Sequence, residues 1–376
     1  MKIRSLVAIS LLCIAASLGC SKSDKNVLLI GEYGSLTGGT ATFGQSTHNG
    51  IMLATEEINA QGGLLGKKVK ILTEDDQSKP EEAKTAALKL IRQNNVIALL
   101  GEVASSRSLA AAPEAQRAKI PMISPASTNP KVTEVGDYIF RACFVDTFQG
   151  ASMAKFAYNN LKLRNVAVLV DNKNDYSVGL DEFFEKTFKA LGGNIVAVES
   201  YSEGDIEFRA QLTAIKAKNP DGIYIPGYYT EVGLIARQAR ELGLQVPLMG
   251  GDGWDSPKTI EIGGNAVNGS YFSNHYAEDD PNPIIQSFIQ KYKQKYGIVP
   301  DAMAVLGYDA ANILFDSIKR ANSADPTLIR DAIAQTKDFP GVTGSITMDA
   351  NRNAQKRIVV MKIDNGKITF TEAMNP

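Results

Sequence analysis

A strand–helix alternation that runs through the chain twice limits its fold more than any other feature. Val27-Leu28-Leu29-Ile30 reads as a buried strand, and Ile51, Ala54 and Ile58 lie on one face of the helix that follows. Gly62-Gly63 stops that helix, and Val69 and Ile71 alternate as the next strand. Ala83, Ala87 and Leu90 mark a second helix and Val96 to Leu100 a third strand. Ser105 opens a further helix as its N-cap, and Ile120 to Ile123 is a fourth strand. After Asp146 the rhythm restarts. Val166 to Val170 is a strand, and Phe183, Phe184 and Phe188 belong to a helix that stops at Gly192-Gly193. Ile195 to Val198, Ile223 to Ile225 and Val246 to Met249 are further strands. This alternation builds parallel sheets covered by helices on both faces. Two such sets without a flexible linker predict two lobes meeting at a cleft. Helical patterns at Ile284 to Tyr296 and Ala302 to Ala321, followed by a strand at Ile358 to Ile363, predict that the chain crosses between lobes more than once. Several crossings make a hinge, the architecture of a protein that closes around a ligand.

The first residues are of another kind. Lys2 and Arg4 precede an apolar run from Leu6 to Leu18 that is broken by Ser10 and Ser17. A spanning helix needs ~20 apolar residues, so the run reads as a secretory signal over 1–19. Ala16-Ser17-Leu18-Gly19-Cys20 resembles a bacterial lipobox, with Ser17 where Leu is usual. Lipidation of Cys20 would anchor the protein to a membrane surface through residues 20–26, a short polar tether; an ordinary signal-peptidase site is the other reading. Cys13 would leave with the signal and Cys20 would carry lipid, so Cys143 would have no disulfide partner.

Composition excludes several classes. With 40 Lys+Arg against 41 Asp+Glu and a net charge of -1, the chain has no field to attract nucleic acid. His48 and His275 are too few and too isolated for a His-rich metal site. No G-x-S-x-G elbow, G-x-x-x-x-G-K-[ST] loop or H-E-x-x-H pair occurs. Gly34 to Gly39 lacks dinucleotide-loop spacing and reads as a turn, and Asp75-Asp76 reads as a solvated strand end. No motif for catalysis, no cofactor and no metal is expected.

Four loops after strands have more to offer. Gly101-Glu102-Val103-Ala104-Ser105-Ser106 opens a helix, where backbone N–H groups and a hydroxyl suit a carboxylate. Pro125-Ala126-Ser127-Thr128-Asn129-Pro130 follows the next strand, and Ile225-Pro226-Gly227-Tyr228 and Gly250-Gly251-Asp252-Gly253-Trp254 follow strands of the second set. Ligands of open α/β sheets bind beyond the carboxyl ends of strands. Donors on one lobe and an acid on the other suit an α-amino acid zwitterion.

From Val27 onward the chain resembles the branched-chain amino acid-binding proteins, the type I periplasmic substrate-binding components of ABC importers. The resemblance rests on the order and spacing of Gly44 to Gly63 with Glu57-Ile58-Asn59, then Glu74-Asp75-Asp76, Ser124-Pro125-Ala126 and Gly227-Tyr228. It implies an α/β fold of two doubly wound parallel-sheet lobes joined by a multi-strand hinge. The lobes would be 27–146 plus about 276–354, and 147–275 plus about 355–376. It also implies ligand-binding roles: Ser105 for the ligand carboxylate, the Ala126 carbonyl for the ammonium, Thr128 for both ends, and Tyr176 and Tyr228 as closing tyrosines. Asp252 would be the ammonium's counter-charge, with a shorter reach than the Glu usual in the family. Phe43, Val103, Ala104 and Tyr308 fall at side-chain-pocket positions, with Trp254 counted beside them, and their character favours an aliphatic ligand. Ser78 and Ala104 stand where some relatives carry a disulfide.

Structural readings stay open for these residues. The alternative reading makes Ser105 an N-cap only, gives Thr128 to a turn and the tyrosines to packing, and puts Phe43 and Tyr308 in the core. Two readings are open for Glu102 and Arg107: a pair with each other at the cleft edge, or Arg107 reaching a polar ligand side chain. The function expected is an exported, monomeric receptor that hands an amino acid to ABC permease subunits at the cell envelope. The alternatives are a receptor for an amide, urea or aromatic acid, or a sensory protein of the same fold. A DNA-binding repressor of this fold is excluded by the signal segment and the missing helix-turn-helix.

Overall fold

The computed structural model describes residues 26–375, so the signal segment and Cys20 lie outside the described residues. Five parallel strands form one sheet, in the spatial order Lys68–Asp75, Val27–Gly34, Leu99–Leu100, Met122–Ser124 and Ile139–Arg141. The inner strand Val27–Gly34 is buried along most of its length because helices cover both faces, which explains its unbroken apolar run. A seven-stranded sheet runs Lys367–Met374, Ile358–Asp364, Ser270–Asn274, Leu248–Gly250, Gly222–Tyr224, Asn165–Asp171 and Asn194–Tyr201. Five of these strands are parallel. The two late strands, Ile358–Asp364 and Lys367–Met374, are antiparallel additions at one edge. A small antiparallel sheet of Phe339–Gly341, Gly344–Met348 and Ala354–Gln355 completes the strands.

The chain passes between the two large sheets after Arg141, after Asn274 and before Ile358. Helices Pro283–Tyr296 and Ala302–Ala321 return to the first sheet's side, where they pack on helix Ala41–Ala60. Their approach is close: a Cβ at Gly50 would lie 2.0 Å from the Ala304 carbonyl oxygen, and one at Gly307 2.4 Å from that of Thr47. Glycine at both crossing points lets the two backbones touch. Each large sheet has its own apolar core, and a further cluster lines the junction between them. Cys143 is buried with a free thiol, and burial pushes its pKa up to about 12, which makes it inert. Among the described residues no helix is long and apolar enough to cross a membrane.

Candidate functional site

One wall of the cleft is made by the loops that follow Leu99–Leu100 and Met122–Ser124. Helix Ser105–Ala118 is capped by Ala104, without a side-chain bond, so Ser105 is its first residue and not its N-cap. The Ser105 hydroxyl instead accepts the Asn129 N–H at 3.2 Å and ties the two loops together. Three further hydroxyls, of Ser108, Ser124 and Ser127, donate to the Glu102 carbonyl oxygen. The buried Arg141 guanidinium donates to the carbonyls of Ser127, Asn129 and Pro130, which clamps the second loop from beneath. Thr128 and Ala126 are buried within this scaffold. The Thr128 carbonyl accepts the Asp146 N–H at 3.0 Å, while its hydroxyl is buried without a hydrogen-bond partner among the described residues.

The opposite wall comes from the seven-stranded sheet. Asn174 caps helix Asp175–Ala190 through the Tyr176 N–H, and Tyr228 is the residue before helix Tyr229–Glu241. The two tyrosine rings stack with centroids 5.3 Å apart and planes within 7°. Burial holds both phenols far above their usual pKa, so they remain protonated. Asp252 starts a short 3-10 turn after Leu248–Gly250 and is buried. Its Oδ1 accepts from Gln149 Nε2 at 2.8 Å, and its Oδ2 lies 2.9 Å from His275 Nε2. Burial pushes the His275 pKa down to about 4, against the pull of Asp252, so the ring is neutral at pH 7. Beside them, Asp146 is raised well above the carboxylate range by burial and then by the Asp252 charge. Thr128 and Arg141 lie near enough to oppose that rise, the hydroxyl from outside hydrogen-bond geometry.

The two walls meet. Thr42 N–H donates to the Tyr229 hydroxyl at 3.2 Å, Thr230 Oγ1 to the Gly39 carbonyl at 3.0 Å, and Asp175 N–H to Ser106 Oγ at 2.9 Å. Asn129 Nδ2 donates to the Asp175 carbonyl at 2.7 Å, and Arg107 pairs with Glu203 at 2.8 Å. Phe43 packs edge-on against Tyr228 and Tyr229, with centroids at 5.6 and 4.8 Å. Phe43, Val103, Ala104 and Ala126 share one apolar cluster with Tyr176 and Tyr228. The described conformation is therefore closed. A cavity of about 590 Å³ remains at the cleft mouth, between Ser78, Ala104, Arg107, Glu203, Tyr228 and Glu231.

Several expectations need correction. Glu102 and Arg107 do not pair with each other. Glu102 is buried and accepts from the Ser35 N–H and hydroxyl and from the Ala104 N–H. Burial and the neighbouring Asp76 raise its pKa to about 8. Arg107 reaches across the cleft to Glu203 and bonds the Ser78 carbonyl of its own lobe, and its Nε and Nη1 are buried without partners among the described residues. Asp76 is not solvated: it is fully buried and accepts from Ser35 and from the Ser78 N–H. Trp254 points away from the cleft, with Nε1 donating to the Ile225 carbonyl at 2.9 Å and the ring near Phe272 in the second lobe's core. Tyr308 is also elsewhere. It sits in the first half of helix Ala302–Ala321, beside Phe288 and bonded through its hydroxyl to Glu57 at the other end of Phe43's helix. Sequence reasoning missed Arg141, Gln149 and His275; a lone Arg ending the apolar strand Ile139–Arg141 was the available signal for the first.

Known proteins share this architecture. The family model described as periplasmic binding protein matches residues 29–367. A leucine-binding protein from Thermotoga maritima, solved by crystallography, is 44% identical over 93% of this chain and 99% of its own, with a TM-score of 0.90. The branched-chain amino acid transporter substrate-binding protein LivJ of Streptococcus pneumoniae, solved with isoleucine, is 33% identical over 93% of this chain and all of its own, with a TM-score of 0.89. The Leu/Ile/Val-binding protein BraC3 of Rhizobium johnstonii is 30% identical over 96% of this chain and 98% of its own. Sequence and fold thus agree along nearly the whole described chain, which belongs to the periplasmic binding protein family.

Proposed function

We propose that the protein is an extracytoplasmic receptor that captures an aliphatic α-amino acid by lobe closure and delivers it to the permease of an ABC importer. One observation carries this reading. A buried hydroxyl without a partner, Thr128, stands on one wall, and a buried acid bonded only to neutral groups, Asp252, stands on the other. A zwitterion meets both needs. Its carboxylate takes Thr128 Oγ1 and the N–H groups at the start of helix Ser105–Ala118, where the helix dipole favours a negative charge. Its ammonium takes the Ala126 carbonyl and the Asp252 carboxylate. Phe43, Val103 and Ala104 then enclose an apolar side chain, and Tyr176 and Tyr228 close over it.

Binding in this scheme is a population shift. The ligand touches both walls only when the lobes are closed, so it stabilises that state selectively and no covalent step is needed. The lobes would move as 27–146 plus about 276–354 against 147–275 plus about 355–376. The proposal includes an acyl anchor on Cys20 and a monomeric receptor, both inferred from the sequence.

Calorimetry on protein freed of ligand by unfolding and refolding tests the reading. Heat with L-leucine, L-isoleucine or L-valine, and none with 4-methylpentanoate, is the expected result. Binding of 4-methylpentanoate or benzoate without binding of any α-amino acid would assign the site to a carboxylic acid that lacks an ammonium, and would remove the proposal.

A further inference from the structure

We infer that Gln149 and His275 are positioning residues that hold the Asp252 carboxylate in the orientation from which it receives a ligand ammonium, an inference that rests on the receptor reading above. Asp252 stands between Gly251 and Gly253 on a three-residue turn, which leaves its side chain little local support. Support comes from two distant elements. Gln149 projects from helix Asp146–Asn159 and donates through Nε2 both to Asp252 Oδ1 and to Ser273 Oγ, the latter at 3.0 Å. His275 follows strand Ser270–Asn274, and its ring lies flat on Phe144 with centroids 3.8 Å apart. Facing a carboxylate oxygen at 2.9 Å, its Nε2 carries the proton and donates. Both supporting side chains are fully buried.

The site is built to let these groups in. A Cβ at Gly251 would lie 2.2 Å from the Tyr176 hydroxyl and 2.7 Å from Gln149 Nε2. Any other residue there would push the amide off the carboxylate. The donor set has a second property. Each Asp252 oxygen receives one N–H and keeps lone-pair capacity for a further donor. Because both donors are neutral, the acid is oriented without its charge being cancelled. A Lys or Arg in either place would compete with an incoming ammonium, and among the described residues the only ion-pair geometry made by Asp252 is the one with His275.

The test is a set of Kd measurements with L-leucine on wild type, His275→Leu, His275→Gln, Gln149→Leu, Asp252→Asn and the double variant Asp252→Asn/His275→Leu, with thermal melts to establish folding. Removing either donor should weaken leucine binding by about tenfold or more. His275→Gln keeps an N–H donor and should bind within about threefold of wild type. Since both residues act through one carboxylate, the double variant should bind no worse than Asp252→Asn alone, which residues with a purely structural role would not show. Folded His275→Leu and Gln149→Leu proteins with wild-type Kd values, or losses that multiply with Asp252→Asn, would overturn the inference alone. Wild-type protein that binds no α-amino acid would overturn the receptor reading first, and this inference with it.

Discussion

The two walls of the cleft are made of different chemistry. On the first, the groups offered to a ligand are neutral: main-chain N–H groups, a carbonyl and the Thr128 hydroxyl. They are fixed from below by the Arg141 clamp and by three serine hydroxyls on the Glu102 carbonyl. On the second wall the groups are an acid and two stacked phenols, all side chains at or next to the starts of helical segments. In the proposed reading, a neutral, preorganised wall can hold one end of a zwitterion while the lobes are apart. The acid gains only when closure brings it to the ammonium. In that reading, the difference teaches that the ligand's positive end would select the closed conformation, while its negative end would provide the initial hold.

The largest expected effect tests that division. Asp252→Asn should keep the fold but leave the ammonium without a counter-charge. Breaking a buried ion pair costs ~3–5 kcal/mol, so Kd for leucine should rise by two to three orders of magnitude in calorimetry. Thr128→Val removes one hydroxyl from the neutral wall, at about 1–3 kcal/mol or roughly tenfold and upward in Kd. A Thr128→Val loss larger than that of Asp252→Asn would reverse the comparison, because the neutral wall would then supply most of the affinity.

A third measurement concerns the support of the neutral wall. The folded-state pKa of Glu102, about 8, lies above that of an unfolded glutamate. The folded protein therefore keeps a proton that the unfolded chain has released. The stability this contributes is complete at acid pH and is lost as pH rises through the range toward 8. Asp171 and Glu231, raised by burial to about 6 and about 7, act in the same direction. Urea unfolding of the wild type between pH 6.5 and 8 should thus show declining stability, since below that range His275, pushed down to about 4, acts in the opposite direction. Glu102→Gln, an isostere of the protonated form, should flatten the decline by on the order of 1 kcal/mol. An unchanged slope would mean that Glu102 is ionised in the fold and that the wall rests on a charge.

Much of this architecture was legible because it is local. The strand–helix rhythm follows from side-chain periodicity, and the loops that carry Ser105, Thr128, Tyr228 and Asp252 follow strands that their apolar runs reveal. What pairing at a distance decides was not legible. Glu102 and Arg107 are neighbours in sequence, yet the partner of Arg107 is 96 positions away on the other lobe. Asp252 is read from its own loop, whereas Gln149, 103 positions away, and His275 are tied to it only by the folded sheet. Trp254 lies two residues from Asp252, but a 3-10 turn sends its ring to the opposite side. The edge strand Lys367–Met374 has too few buried residues to stand out in the sequence.

Tyr308 gives the smallest expected effect and marks the limit of the cleft. Its hydroxyl bonds Glu57, which also pairs with Lys291, in a groove of about 520 Å³ on the first lobe's outer side. Glu57 lies fourteen positions beyond Phe43 on the same helix, about 21 Å along the axis at 1.5 Å per residue. Tyr308→Phe removes one partly exposed hydrogen bond and leaves Lys291 to pair with Glu57, a change of ~1 kcal/mol or less in stability. The aromatic contact with Phe288 is kept, so the helix packing should survive. Leucine Kd should stay within about twofold of wild type, since neither wall of the cleft touches this groove. A tenfold loss of affinity with an unshifted melting temperature would place the outer groove in energetic contact with the ligand, and the boundary drawn between the two walls and the rest of the first lobe would have to move.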